Sequence, residues 1–274
     1  MPDDALQDFD RGTFTHEGKT RAVFRRGAGP AVIVIAEIPG ITPKVLEFAR
    51  RVSAVGCTAV LPHLFGHPGR AYPDPEVDGA LRAAGKFAGT IVPLCISREF
   101  TVFATGKTSP VVTWLRALAA EEHRRCGGPG VGAVGMCFTG GYALAMATDD
   151  RLLAPVLSQP SLPYGLTARQ RRSIDISPGD LAKVTQRCAN GLTVLGLRFK
   201  GDKTSPAERF DFLREQLGEA FVGVELDDTA ANPTATLTPH SVLTEHLIDE
   251  PGQPTRDALD QVLDLFRTRL LTSR

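Results

Sequence analysis

The sequence predicts an α/β fold, a mostly parallel central sheet with helices on both faces. Short β-branched runs alternate with amphipathic helical segments along most of the chain. One of them, Ala31–Ala36 (AVIVIA), is apolar at every position, as expected of a strand covered on both faces. No internal repeat, low-complexity tract or linker breaks the alternation, so residues 1–274 are expected to form one domain. A domain of that length buries roughly 70–75% of its unfolded surface.

The elements follow in order. Thr13–Arg26 is polar and mixed, with Thr20, Ala22, Val23 and Phe24 marking an edge hairpin. After the strand Ala31–Ala36, Pro43–Val55 carries Val45, Leu46, Phe48, Ala49 and Val52 at helical spacing, with Thr42 as N-cap and Pro43 at the first helical position. Gly56 closes that helix, and Thr58–Leu61 gives a second strand. Residues 62–109 are rich in Gly and Pro at first and then weakly periodic. A stretch that long is expected to hold short helices and to cover a site. Pro110–His123 is a helix capped by Ser109 and ended by Gly127-Gly128-Pro129. Strands are then expected at Val131–Val134, Leu152–Leu157, Leu192–Leu197 and Phe221–Leu226. The helices expected among and after them begin at Phe138 and cover Pro178–Ala189 (N-cap Ser177), Pro206–Leu217 and Thr255–Leu271.

Composition excludes several classes of function. Lys plus Arg and Asp plus Glu number 31 each, so the net charge is zero and a general nucleic-acid binder is not expected. The first twelve residues carry acids where a secretion signal carries bases, and no apolar run approaches the ~20 residues of a membrane span. Five cysteines without paired or CxxC spacing argue against a disulfide framework or a zinc site. His63 and His67 have HxxxH spacing, but Pro62, Gly66 and Pro68 break any helix that would align them on a metal. A cytoplasmic protein with reduced thiols is expected, a monomer or small homo-oligomer.

Chemistry concentrates at Val131–Thr148 (VGAVGMCFTGGYALAMAT). A small apolar strand turns through Gly135-Met136-Cys137 into a helix, the layout of a nucleophile elbow with cysteine in place of serine. A thiol there sits at a helix N-terminus, where free N–H groups favour a thiolate. Gly135, Gly140 and Gly141 leave room for the turn, although Thr139 stands where the motif has glycine. In an open α/β sheet functional groups gather at the carboxyl ends of the strands. Glu37 follows Ala31–Ala36, Asp202 follows Leu192–Leu197, and the loop after Phe221–Leu226 reaches His240 and Ser241. The chain order is then nucleophile, acid, histidine. Asp227 and Asp228 are rivals to Asp202, and His246 to His240. Pro239-His240-Ser241 is the stronger motif, and Glu245-His246 reads as the start of a helix. The other cysteines, Cys57, Cys95, Cys126 and Cys188, lack companion motifs and are read as packing or surface thiols, and His123 as a helix-end residue.

Together these motifs resemble the dienelactone hydrolase family of the α/β-hydrolase superfamily. The resemblance rests on Val34-Ile-Ala-Glu-Ile-Pro-Gly40, Gly135-Met-Cys-Phe-Thr-Gly-Gly141, Gly201-Asp202 with Ser205-Pro206, and Pro239-His240-Ser241. It implies an α/β-hydrolase fold and cleavage of a small ester or lactone with no metal or organic cofactor. It implies Cys137 as nucleophile forming a thioester, His240 as base and Asp202 as its orienting acid. It further implies Glu37 as a carboxylate that pairs with the resting thiol, and the backbone N–H groups of Ile38 and Phe138 as the oxyanion hole. The family holds a substrate carboxylate with arginines. Arg98 in the cover segment is the candidate here, and Val242–Leu247 after His240 offers none. Two other readings stand beside this one. One is a glutaminase or DJ-1-like cysteine enzyme; a glutaminase site would need a His-x-Glu unit, and none follows Cys137. The other is a non-catalytic member of the fold that binds a ligand or partner.

Overall fold

The computed structural model describes residues 5–71, 85, 89, 97 and 99–272. Its centre is an eight-stranded sheet in the order β1-β2-β4-β3-β5-β6-β7-β8. Strands β1 (Asp10–His16) and β2 (Lys19–Arg26) form the expected hairpin, and β1 begins three residues earlier than the hydrophobic pattern indicates. Glu17 and Gly18 between them both have positive φ, at 47° and 75°. That conformation gives a two-residue turn whose twist matches the strands it joins. β2 runs antiparallel to β4 (Thr58–Pro62), and from β4 onward every neighbouring pair is parallel.

The parallel strands are β3 (Ala31–Ile35), β4, β5 (Val131–Met136), β6 (Leu152–Ser158), β7 (Val194–Phe199) and β8 (Phe221–Leu226). β3 is buried at all five positions, and its pleat divides them between two cores. Ile33 and Ile35 enter one core, while Val32 and Val34 enter the other. The first core is completed by α2 (Val111–Cys126), α3 (Gly140–Met146), α4 (Pro178–Ala189) and α5 (Ala207–Leu217). The second is completed by α1 (Pro43–Ala54) and α6 (Pro254–Phe266), after which the chain widens into a π turn at Arg267–Leu271. Thr42 caps α1 by accepting from Val45 N–H at 3.3 Å, and Ser177 caps α4 by accepting from Asp180 N–H at 3.1 Å.

Four local expectations need correction. Ser109 does not cap α2, whose N-cap is Pro110. Its hydroxyl instead accepts from Thr101 N–H at 2.9 Å and donates to Asp175 at 2.6 Å. β7 starts and ends two residues later than Leu192–Leu197, which brings Arg198 into the strand. The segment from Cys137 is a 3-10 turn to Thr139 before the α-helix begins at Gly140. Glu245-His246 lies in a turn rather than a helix.

The described ends of segment 62–109 lie against the elbow. Phe65 and Phe100 each pack edge-on to Phe138, with centroids 5.9 and 5.4 Å away. Arg98 and Cys95 lie outside the described residues. The chain leaves β3 toward β4 on one side and returns at β5 on the other. The carboxyl ends of β3 and β5 therefore border the crevice at which open α/β sheets bind ligands.

Candidate active site

Cys137 follows β5 at that crevice with φ 53°, a left-handed conformation that non-glycine residues adopt rarely. The turn is tight enough that a Cβ on Gly135 would fall 2.2 Å from the Thr139 carbonyl oxygen, and one on Gly140 2.4 Å from Pro160 Cα. Thr139, at the position where the elbow motif has glycine, is fully buried and uses its hydroxyl. It accepts from Met136 N–H at 3.0 Å and donates to the Ile35 carbonyl at 2.9 Å, tying the elbow to the end of β3. Cys57 is buried in the core, where burial pushes its thiol up to about 11. Burial likewise raises Cys126 and Cys188. Cys137 is half-buried and lines a cavity of about 550 Å³ together with Glu37, Asp202 and His240.

The histidine and the acid meet. His240 Nδ1 lies 2.6 Å from Asp202 Oδ2. The other oxygen of Asp202 accepts from Thr204 N–H at 2.9 Å, from the Thr204 hydroxyl at 2.7 Å and from Ser205 N–H at 3.2 Å. One oxygen is thus fixed by its own loop and the other is left for the imidazole. Burial would raise the Asp202 carboxyl, but its hydrogen bonds to His240 and Thr204 prevail and hold it below the usual range. For His240 burial works against the charged ring. Interactions with the Cys137 sulfur and with the Asp202 carboxylate outweigh it and raise the imidazole well above its ordinary value. The arrangement can therefore hold a proton on the ring between a carboxylate and a sulfur.

The rivals are occupied elsewhere. Asp227 pairs with Lys200 at 2.8 Å, and Asp228 accepts from Gly201 N–H at 2.9 Å. His246 is buried, with Nδ1 accepting from Ser241 N–H at 3.1 Å and Nε2 3.0 Å from the Leu237 carbonyl. That pairing assigns its proton to Nε2, and burial lowers its basicity, so it stays neutral and braces the loop that carries His240.

Glu37 is 2% exposed and accepts from Gln159 Nε2 at 3.1 Å, from the Ser241 hydroxyl at 2.7 Å and from the Thr244 hydroxyl. Its hydrogen bonds thus run to the loops after β6 and β8. Gln159 escaped the reading of the sequence. It is fully buried just past β6 with φ 35°, and it accepts from Val242 N–H at 3.4 Å. The available signal was its place at the carboxyl end of a strand, the criterion that picked out Glu37 and Asp202. Arg209 in α5 was missed as well. Its guanidinium donates to the carbonyls of Pro160, Pro163 and Ser173 at 2.5–2.7 Å, clamping the loop after β6. Burial pushes its pKa down to about 10.

Ile38 follows β3 and Phe138 lies within the 3-10 turn, and both residues are buried.

The fold is shared with solved hydrolase structures. A dienelactone hydrolase-like promiscuous phosphotriesterase from metagenomic libraries is 15% identical, with 96% of this chain and 98% of that one covered at a TM-score of 0.59. The dienelactone hydrolase of Anabaena variabilis is 18% identical, with 96% and 100% covered at a TM-score of 0.52. The 2,6-dihydroxy-pseudo-oxynicotine hydrolase is 15% identical, with 94% and 68% covered at a TM-score of 0.57. At these identities the likeness shows the α/β-hydrolase fold alone. Among curated protein sequences none matches this chain. The sequence pattern of the dienelactone hydrolase family matches residues 19–177, more than half of the chain and inclusive of Glu37 and Cys137, and the chain belongs to that family.

Proposed function

We propose that the protein hydrolyses small esters or lactones through a thioester on Cys137, with His240 and Asp202 completing a triad. The observation that carries this reading is His240 Nδ1 at 2.6 Å from Asp202, with Cys137 lining the same cavity. Cys137 attacks the carbonyl carbon, and the Ile38 and Phe138 N–H groups stabilise the oxygen that gains charge. His240 passes its proton to the leaving alkoxide as the C–O bond breaks. It then takes a proton from water, which attacks the thioester and releases the acid and the thiol. Glu37, held by Gln159, Ser241 and Thr244, fixes the loops that carry Ile38 and His240. We place this chemistry in the cytoplasm, in keeping with five cysteines that lack paired or CxxC spacing. Among the described residues no helix is long and apolar enough to cross a membrane.

Hydrolysis of p-nitrophenyl acetate tests the reading. Cys137→Ala and His240→Ala are each expected to lower kcat/KM by on the order of 10³-fold or more. Cys57→Ala, in the core, leaves it within about twofold. Mass spectrometry of quenched reactions should find the acyl group on the Cys137 peptide. Undiminished turnover in Cys137→Ala would remove the proposal.

A further inference from the structure

The chemistry proposed above leaves open what the cavity selects, and its lining bears on that directly. Ile38, Leu237, Pro239 and the ring of Tyr164 give its walls apolar surface. Leu237 stands 44% exposed at the rim, and the Tyr164 ring continues outward to Phe103, itself 50% exposed, at a centroid distance of 6.0 Å. Leu166, two residues past Tyr164, is 74% exposed. An apolar wall that extends past the mouth into solvent is unusual on a protein surface, which tends to keep such side chains apart.

The polar groups of the lining are largely occupied. Ser161 donates to the Gln159 carbonyl at 3.0 Å, Ser241 is bound to Glu37, and Thr204 is bound to Asp202. The Gly201 N–H is given to Asp228. These groups position one another and leave few free donors for a substrate. The charges point the same way. Glu37, Asp202 and Asp228 all line the cavity, while Lys203, the lysine among the described lining residues, is exposed. The positive charge favoured on His240 already faces Asp202 and Cys137. A carboxylate entering here meets three acids, with Lys203 at the solvent side of the described lining.

We infer that this pocket selects neutral esters with an apolar acyl or alcohol arm, laid along Tyr164 and Leu237, and rejects substrates that carry a carboxylate. This specificity rests on the ester-hydrolase reading and sharpens it. A cavity of about 550 Å³ lies in the range of small-molecule sites, with space for such an arm beside the reacting carbonyl. Each methylene that the arm buries adds roughly fourfold to binding.

The test compares p-nitrophenyl acetate, butyrate and hexanoate with the p-nitrophenyl monoester of glutaric acid, which is anionic at neutral pH. The hexanoate is expected to exceed both the acetate and the glutarate monoester in kcat/KM by at least about tenfold, full burial of its four extra methylenes corresponding to roughly 250-fold over the acetate. Leu237→Arg, a change at an exposed position, should shift the glutarate-to-hexanoate ratio at least about tenfold toward the anion. Equal or faster turnover of the glutarate monoester by the unaltered protein, or an unmoved ratio in Leu237→Arg, overturns the inference. A second readout separates recognition from chemistry: calorimetric binding of 2-octanone and of 5-oxohexanoate to Cys137→Ala. Preferential binding of 2-octanone upholds the apolar pocket even where Cys137-dependent hydrolysis is missing, and preferential binding of the keto acid rejects it even where hydrolysis is found.

Discussion

Glu245 lies partly buried behind the site, and burial first, then the charge of Glu37, pushes its carboxyl up to about 7. Lys44 opposes this and Glu47 adds to it. A carboxyl raised on folding is protonated in both states below its unfolded value near 4.5 and so has no effect there. Stability is lost as the pH rises from that value through about 7, where the folded protein must give up a proton it retains. Glu245→Gln should therefore stabilise the protein at pH 8, by about 1–2 kcal/mol once partial exposure is allowed for, and leave it unchanged at pH 4. Urea denaturation at the two pH values checks this, and an equal effect at both would exclude titration of the Glu245 carboxyl as its cause. Thr139 makes the complementary point at the same scale. The elbow motif has glycine there, yet the threonine fits because its hydroxyl supplies the Ile35 carbonyl at the end of β3 with a donor.

Strand β2 and helix α2 are joined by one buried ion pair. Arg25 Nε lies 3.0 and 3.1 Å from the two carboxylate oxygens of Glu122, with Nη2 at 2.5 Å from the first. Glu122 is fully buried and Arg25 is 8% exposed. Attraction between such groups is largely offset by the cost of drying them, so the pair matters most when one member is removed. Glu122→Leu is expected to cost about 3–5 kcal/mol by stranding the guanidinium, and the double change Arg25→Met, Glu122→Leu to recover most of that. Thermal and urea unfolding of Arg25→Met, Glu122→Leu and the double variant decide it. Full additivity of the single changes would show that the two side chains act independently. The pair anchors the antiparallel edge hairpin onto the parallel body, a junction that the weak alternation of β1 alone would hold poorly.

Across the whole molecule the pH dependence of stability combines the site's own groups. His240, raised on folding, contributes stability that is present below its unfolded value near 6.5 and is lost as the pH rises through the higher folded value. Asp202, lowered on folding, contributes stability that is present above about 3.8 and is lost as the pH falls through the folded value. The stability curve is thus expected to fall on both sides of a mildly acidic maximum. In Cys137→Ala the sulfur no longer supports the imidazolium, and the alkaline fall should move to lower pH. Denaturation midpoints from pH 4 to 9 measure it, and an unmoved alkaline limb would contradict coupling between the sulfur and the ring.

By itself the sequence determined whatever depends on neighbours within a turn or two. The run AVIVIA specified a strand buried on both faces, and Thr42-Pro43 and Ser177-Pro178 marked helix starts because a cap bonds to backbone three residues away. Strand ends located Glu37, Cys137 and Asp202 near one rim, since parallel strands bring their carboxyl ends to the same side of the sheet. Only the tertiary structure decided the pairings that close over long stretches of chain. It joined Gln159 to Glu37, gave Ser109 to Asp175 rather than to its own helix, and set Arg209 on the carbonyls of a distant loop. It also brought His240, which the motif had favoured over His246, within reach of Asp202. Such polar groups have several acceptors or donors of equal chemistry along the chain. The packing of the sheet and its covering helices brings only one of these within hydrogen-bond reach and away from water, which makes that contact the binding one.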